Sequence, residues 1–195
     1  LCFALTLEKA GYDIVGVDIN EEYVSLINDK TLKSPEQDVE AYLKKAKNFT
    51  ATTSVRRAVE HSDFLFVVVA TPSLSSGRYD HSQIESVLTV LKSFGLQKNK
   101  HLIICCTTMP EYCDTAHKQM EQYGYDVSYN PEFIAQGTII RDQAKPDIVL
   151  IGEASKTVGQ ELEKMYIQMT TNHPTFCRQH ELLTFRISDS TFYKK

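Results

Sequence analysis

The sequence predicts an α/β protein built on a doubly wound, mainly parallel sheet. Short apolar runs rich in Val, Ile and Leu recur along the chain, amphipathic stretches separate them, and the strongest runs stop at Pro or at hydroxyl-bearing turns. Strands in such a sheet are covered on both faces, so they read as continuous apolar runs rather than alternating ones.

Residues 1–10 (LCFALTLEKA) read as helix, with Leu1, Ala4, Leu5 and Leu7 apolar and Gly11 as the stop. Residues 13–19 (DIVGVDI) are a short β-branched run that predicts a buried parallel strand. Residues 21–28 follow as helix, with Val24 and Ile27 on one face. Pro35 is read as opening a helix over 36–47, whose polar side carries Lys44, Lys45 and Lys47 as a solvated face. Residues 49–53 (FTATT) are strand-like, and Ser54 is placed to cap a helix running to His61.

Residues 64–70 (FLFVVVA) give the strongest strand signal, and Pro72 cannot continue its ladder. A loop over 73–82, rich in Ser and Gly, precedes a helix over 83–94. Residues 101–106 (HLIICC) predict another buried strand, broken at 107–110, and residues 112–123 a helix. Residues 125–129 predict a strand ended by Asn130 and Pro131, with a late strand at 147–151 and a late helix at 155–169. No internal repeat and no interdomain linker is visible before about residue 170. The expected division is a cofactor-type domain over 1–172 and a tail over 173–195.

The chain has 195 residues, enough for one domain with a full core. Its net charge is −4, so nothing draws it as a whole toward nucleic acid or an anionic membrane. No apolar run approaches the roughly 20 residues of a membrane-spanning helix. The five cysteines, at positions 2, 105, 106, 113 and 177, show no CxxC spacing. They point to a reducing compartment, the cytoplasm, rather than to a disulfide framework. Cys113 and His117 stand four apart on a helix, but no further ligands accompany them, so no metal is expected. Leu1 already lies inside the first helix, and an upstream segment is expected.

Ligands of an open parallel sheet bind beyond the carboxyl ends of its strands. The residues there are Asp18 to Asn20, Ala70 to Ser73, Cys106 to Pro110 and Asn130 to Glu132. Asp18 is the informative acid: a carboxylate at a strand end accepts both ribose hydroxyls of an adenosine and repels a 2′-phosphate, favouring NAD over NADP. The competing reading is a helix cap ahead of Glu21. The glycine-rich phosphate loop that accompanies such an acid belongs about 20 residues earlier, ahead of Leu1.

The runs GYDIVGVDIN (11–20), VVVATPS (67–73), CTTMP (106–110), YNPEFIAQGTIIRD (129–142) and PDIVLIGE (146–153) occur in an order that resembles the UDP-glucose/GDP-mannose dehydrogenase family over residues 1 to about 170. The resemblance implies a Rossmann-like NAD-binding domain. It also implies oxidation of a nucleotide sugar's C6 alcohol to a carboxylate in two NAD-dependent steps, with UDP-glucose to UDP-glucuronate the expected reaction. A thiol nucleophile and the nucleotide-sugar site belong to a second domain, through which the parent is expected to form a homo-oligomer. GDP-mannose or another nucleotide sugar, or a non-catalytic degenerate Rossmann module, are the alternatives.

By position, the resemblance assigns Asp18 to the adenosine ribose and Val69, Ala70, Thr71, Pro72 and Ser73 to the cofactor lining. Thr108 corresponds to a threonine that touches nicotinamide and helps position the catalytic water. Glu132 corresponds to the general base or water-orienting glutamate, and Glu132, Phe133, Ile134, Ala135 and Gln136 would border the substrate. Gln136 stands where many members carry Glu, and is expected to hydrogen-bond the cofactor as an amide. The stretch 181–195 departs from the family's long catalytic helix, and none of the five cysteines lies in a glycine-rich nucleophile motif. The chain alone is therefore expected to be inactive.

Overall fold

The computed structural model describes residues 1–180 and divides the strands between two sheets, both wrapped by helices. Helix α1 (Cys2–Lys9) leads into β1 (Ile14–Val17), which pairs in parallel with β2 (Phe49–Thr52), Ile14 opposite Phe49 and Val17 opposite Thr52. Between them lie α2 (Glu21–Asn28) and α3 (Val39–Lys45). Helix α4 (Val55–His61) then crosses to the second sheet, and Ser54 caps it by accepting from the Arg57 N–H at 3.3 Å.

The second sheet opens with β3 (Phe64–Val67), β4 (Lys100–Ile104) and β5 (Tyr125–Tyr129), all parallel. Helices α5 (Ser82–Ser93) and α6 (Tyr112–Met120) connect them, and a 3-10 turn (Glu121–Tyr123) ends the second connection. After α7 (Ile139–Ala144), β6 (Ile148–Glu153) meets β5 antiparallel through Tyr129 and Gly152. Helix α8 (Lys156–Met169), capped by Ser155, returns the chain to β7 (Thr175–His180), parallel to β6.

The double winding is visible in β4. Leu102 and Ile104 pack with Ile84, Leu88 and Met120, whereas Ile103 packs with Phe3, Ile151 and Leu162 on the other face. A third apolar group, around Leu5, Ile27, Val39, Leu43 and Ala51, closes the first sheet. Each fully buried Leu or Ile contributes about 1.5–3 kcal/mol, so these groups carry the fold. Cys105 belongs to one face and Cys106 to the other, both as core fillers. Among the described residues no helix is long and apolar enough to cross a membrane.

Three elements differ from expectation. The helix expected over 36–47 starts only at Val39, because Glu36 turns away to hold the Gly137 N–H and Asp38 takes a left-handed φ of 66°. Helix α7 was not foreseen; it spans six residues and shows no long apolar period. The expected tail from residue 173 begins with a strand, β7, anchored by Arg178 against Glu153 and Glu163 at 2.7 Å each. Gly159 runs beneath this ion pair: a Cβ there would lie 1.6 Å from a Glu153 oxygen. The departure at 181–195 lies outside the described residues.

Strands β1 and β3 each pair on one side only among the described residues. Both stay half-buried despite their apolar sequences, and Ile14, Phe64 and Phe66 rest on the same core group.

Candidate functional site

The polar residues expected to form a site lie beyond the carboxyl ends of β1, β3, β4 and β5. Asp18 follows β1 directly, its N–H bonded to Thr52 O at 3.1 Å. One carboxylate oxygen accepts from the Asn20 N–H at 2.9 Å, and the cap of α2 is made by Asn20, whose side chain accepts from the Tyr23 N–H. The competing assignment of Asp18 as that cap is thereby removed. Burial, then the Asp18 charge, pushes the Tyr23 phenol up, which places an uncharged hydroxyl beside the carboxylate. Such an acid at a strand end suits a ribose diol.

Beyond β3 the chain stays extended. The Val69 N–H donates to Cys106 Sγ at 3.2 Å and the Ala70 N–H to Gln83 Oε1 at 3.2 Å. Thr71 is half-buried, and Ala70, Pro72 and Ser73 are exposed. Ser73 bridges Tyr79 across a tight loop, in which Leu74 N–H bonds Arg78 O and Asp80 N–H bonds Pro72 O. These tethers hold the segment as a fixed, accessible wall.

Thr108 lies half-buried in the turn after β4, its hydroxyl 3.9 Å from Cys113 Sγ and against the Tyr129 phenol. The next residue, Met109, donates its N–H to His81 Nε2 at 3.2 Å. Burial lowers the His81 pKa, which keeps the ring neutral and able to accept. The His81 ring packs on Tyr112, whose hydroxyl donates to Glu85 at 2.7 Å. On α6, His117 Nδ1 accepts from the Val127 N–H and Cys113 is buried, so that pair is spent on structure.

Glu132 follows β5 and is half-buried. Its Oε1 accepts from Gln143 Nε2 at 2.7 Å, and Gln143 Oε1 in turn accepts from the Thr6 hydroxyl at 2.9 Å. Burial pushes the Glu132 carboxyl up, against the hydrogen bond from Gln143 that holds it down. A carboxyl poised in this way can take up a proton. Phe133 is 63% exposed and Ile134 39%, with Ala135 and Gln136 also exposed, so this stretch forms an open apolar and amide surface beside Glu132. The Ala135 N–H donates to Asp142, and the Gly137 N–H donates to Glu36 at 2.7 and 2.8 Å.

Thr108 and Glu132 make no hydrogen bond to each other; what they share is the rim formed by the ends of β4 and β5. Cys2, Cys105, Cys106 and Cys113 are held in the thiol form by burial. Burial pushes Cys105 and Cys106 up and Cys113 up to about 12, leaving little thiolate. Sequence reasoning missed four residues that shape the rim: Thr6, Glu36, His81 and Gln143. Their partners are distant in sequence, and none stands in a motif.

The family model described as the UDP-glucose/GDP-mannose dehydrogenase family, NAD binding domain, matches residues 1–170. The chain is 29% identical over 178 residues to GDP-mannose 6-dehydrogenase of Pseudomonas aeruginosa, covering 84% of this chain and 40% of that protein. It is 26% identical over 177 residues to UDP-glucose 6-dehydrogenase of Rickettsia bellii, covering 88% and 41%. A crystal structure of a ternary complex of GDP-mannose dehydrogenase from Pseudomonas aeruginosa superimposes with a TM-score of 0.82 at 26% identity, over 91% of this chain and 43% of that one. The chain thus spans about two fifths of the length of these relatives.

Proposed function

The chain belongs to the UDP-glucose/GDP-mannose dehydrogenase family as its NAD binding domain, and from that premise we propose that it is the cofactor-binding part of an enzyme oxidising the C6 alcohol of UDP-glucose to UDP-glucuronate. The observation that carries this reading is Glu132 at the end of β5, half-buried and with its carboxyl pushed up by burial, on the rim it shares with Thr108 at the end of β4, while Asp18 stands at the end of β1 in the other sheet.

NAD supplies the hydride acceptor. Asp18 accepts from the adenosine ribose hydroxyls, and its charge disfavours a 2′-phosphate. Val69, Ala70, Thr71, Pro72 and Ser73 line the cofactor. Thr108 and Glu132 orient the water that hydrolyses the acyl intermediate, and Glu132 takes its proton. Phe133, Ile134, Ala135 and Gln136 border the nucleotide sugar, and the Gln136 amide hydrogen-bonds the cofactor. The nucleophilic thiol belongs to a second domain, which also builds the homo-oligomer, and the free cysteines fit a cytoplasmic protein. The single-sided pairing of β1 and β3 supports a preceding strand between them, one that carries the glycine-rich phosphate loop.

A second reading takes GDP-mannose as the substrate, and the similarity to the GDP-mannose 6-dehydrogenase of Pseudomonas aeruginosa favours it. The test supplies the full-length protein with NAD and either sugar nucleotide and follows NADH. UDP-glucose is expected to give NADH. Turnover of GDP-mannose alone moves the substrate to the second reading, and silence with both contradicts the activity.

A further inference from the structure

We propose that Gln143 is a positioning residue for Glu132, holding the carboxyl group in one orientation, with Thr6 fixing the Gln143 side chain in turn. The inference rests on the proposed role of Glu132 and concerns how that group is controlled. Gln143 is 4% exposed and Thr6 3%, so the chain from Thr6 to Gln143 to Glu132 is shielded from water along most of its length. Each link is within hydrogen-bonding distance, at 2.9 and 2.7 Å, and the Thr6 hydroxyl also lies 3.0 Å from Cys2 O.

The chemistry of a carboxamide explains why glutamine suits this place. When Glu132 is charged, the Gln143 N–H donates to it and the Gln143 carbonyl accepts from Thr6. When Glu132 carries a proton, it becomes a donor. Half a turn of the amide then presents the carbonyl to Glu132 and the N–H to Thr6, whose own proton goes to Cys2 O. Both protonation states are satisfied without leaving a buried polar atom unpaired. An apolar side chain at 143 serves neither state. A carboxyl that gains and loses a proton in each turnover requires this double competence.

The other groups facing Glu132 leave Gln143 as its partner. Cys2 on α1, Cys105 and Cys106 beyond β4, and Tyr166 on α8 are held neutral by burial. Asp142 shares the small cavity beside Glu132, its charge stabilised by Thr138 and the Ala135 N–H.

The experiment is a carboxyl-carbon NMR titration of Glu132 in the full-length protein, in wild type, Gln143→Met and Thr6→Val. Methionine keeps the length and unbranched shape of glutamine. Gln143→Met is expected to raise the Glu132 pKa by about one unit, a tenfold loss of carboxylate at a given pH below it. Thr6→Val shifts it the same way by less, and it provides the readout if Gln143→Met does not fold. A Glu132 titration identical in wild type and in the folded variants overturns the proposal. The catalytic reading fails separately, if Glu132→Gln leaves NADH formation in the full-length protein unchanged while the titration still shifts.

Discussion

Glu132→Gln in the full-length protein is expected to lower the rate of NADH formation by about 100-fold or more, the usual loss when a positioned general base is removed. The substitution keeps the size of the side chain and a hydrogen-bonding group next to Gln143 Nε2, so it removes the charge and the proton acceptor with little change in packing. Affinity for NAD is expected to stay near the wild-type value. Stability gives an independent check, because burial pushes the Glu132 carboxyl above the ordinary carboxyl value of 4.5. The folded state then binds more protons than the unfolded state, and this group's contribution falls as pH rises from 4.5 through the raised pKa. Glu132→Gln removes that penalty, so the variant is at least as stable as wild type at neutral pH. A variant that retains full rate contradicts the proton-accepting role.

Asn130→Ala is expected to destabilise the chain by about 3 kcal/mol, through buried groups left without partners. Asn130 is fully buried; its Nδ2 donates to Leu150 O at 2.8 Å and its Oδ1 accepts from the Tyr166 hydroxyl at 2.8 Å. Truncation leaves both partners unpaired in the core and opens a cavity where β5, β6 and α8 meet. For a chain of this size the loss corresponds to a fall of roughly 10 °C in Tm. Asn130→Asp keeps an acceptor for Tyr166 but sets a buried carboxyl group against Leu150 O, so it is also expected to destabilise the chain, and more at pH 7, where the charge is favoured, than at pH 4. Denaturant unfolding measures both, and a loss below about 1 kcal/mol for Asn130→Ala contradicts the anchoring role. Glu132 lies two residues beyond this anchor, so the same substitution is expected to loosen the site.

Local chemistry made most of the fold legible. Ser54 was legible as a cap because its side chain reaches a backbone N–H three residues on, within one turn; Asn20 and Ser155 cap α2 and α8 in the same way but were not expected to. The apolar runs at β1, β3, β4 and β6 were readable because strands inside a layered α/β sheet read as continuous rather than alternating apolar segments, whereas β5 alternates, with Asp126 exposed, and was marked by the stop at Asn130 and Pro131. What stayed hidden depends on distant partners. Glu36 leaves its expected helix for a backbone N–H 101 residues away, and Thr6 reaches Gln143 across 137 residues. In β7, Arg178 interrupts the apolar pattern because its charge is matched by Glu153 and Glu163 on other elements.

The site divided in the same way. Asp18, Thr108 and Glu132 stand at strand ends, where such a sheet places ligands, and that position marked them as candidates, while the family resemblance suggested the roles of Thr108 and Glu132. Gln143 and His81 are not, since one supports a side chain and the other a turn, and nothing in their immediate neighbours marks either task.

The proposed reaction carries a nucleotide-sugar alcohol to the carboxylate with NAD as the acceptor. The most direct test counts NADH against UDP-glucose consumed by the full-length protein, with the product's charge read at the end of the reaction. Two NADH per sugar and a carboxylate product are expected. One NADH per sugar, or none, would contradict the account.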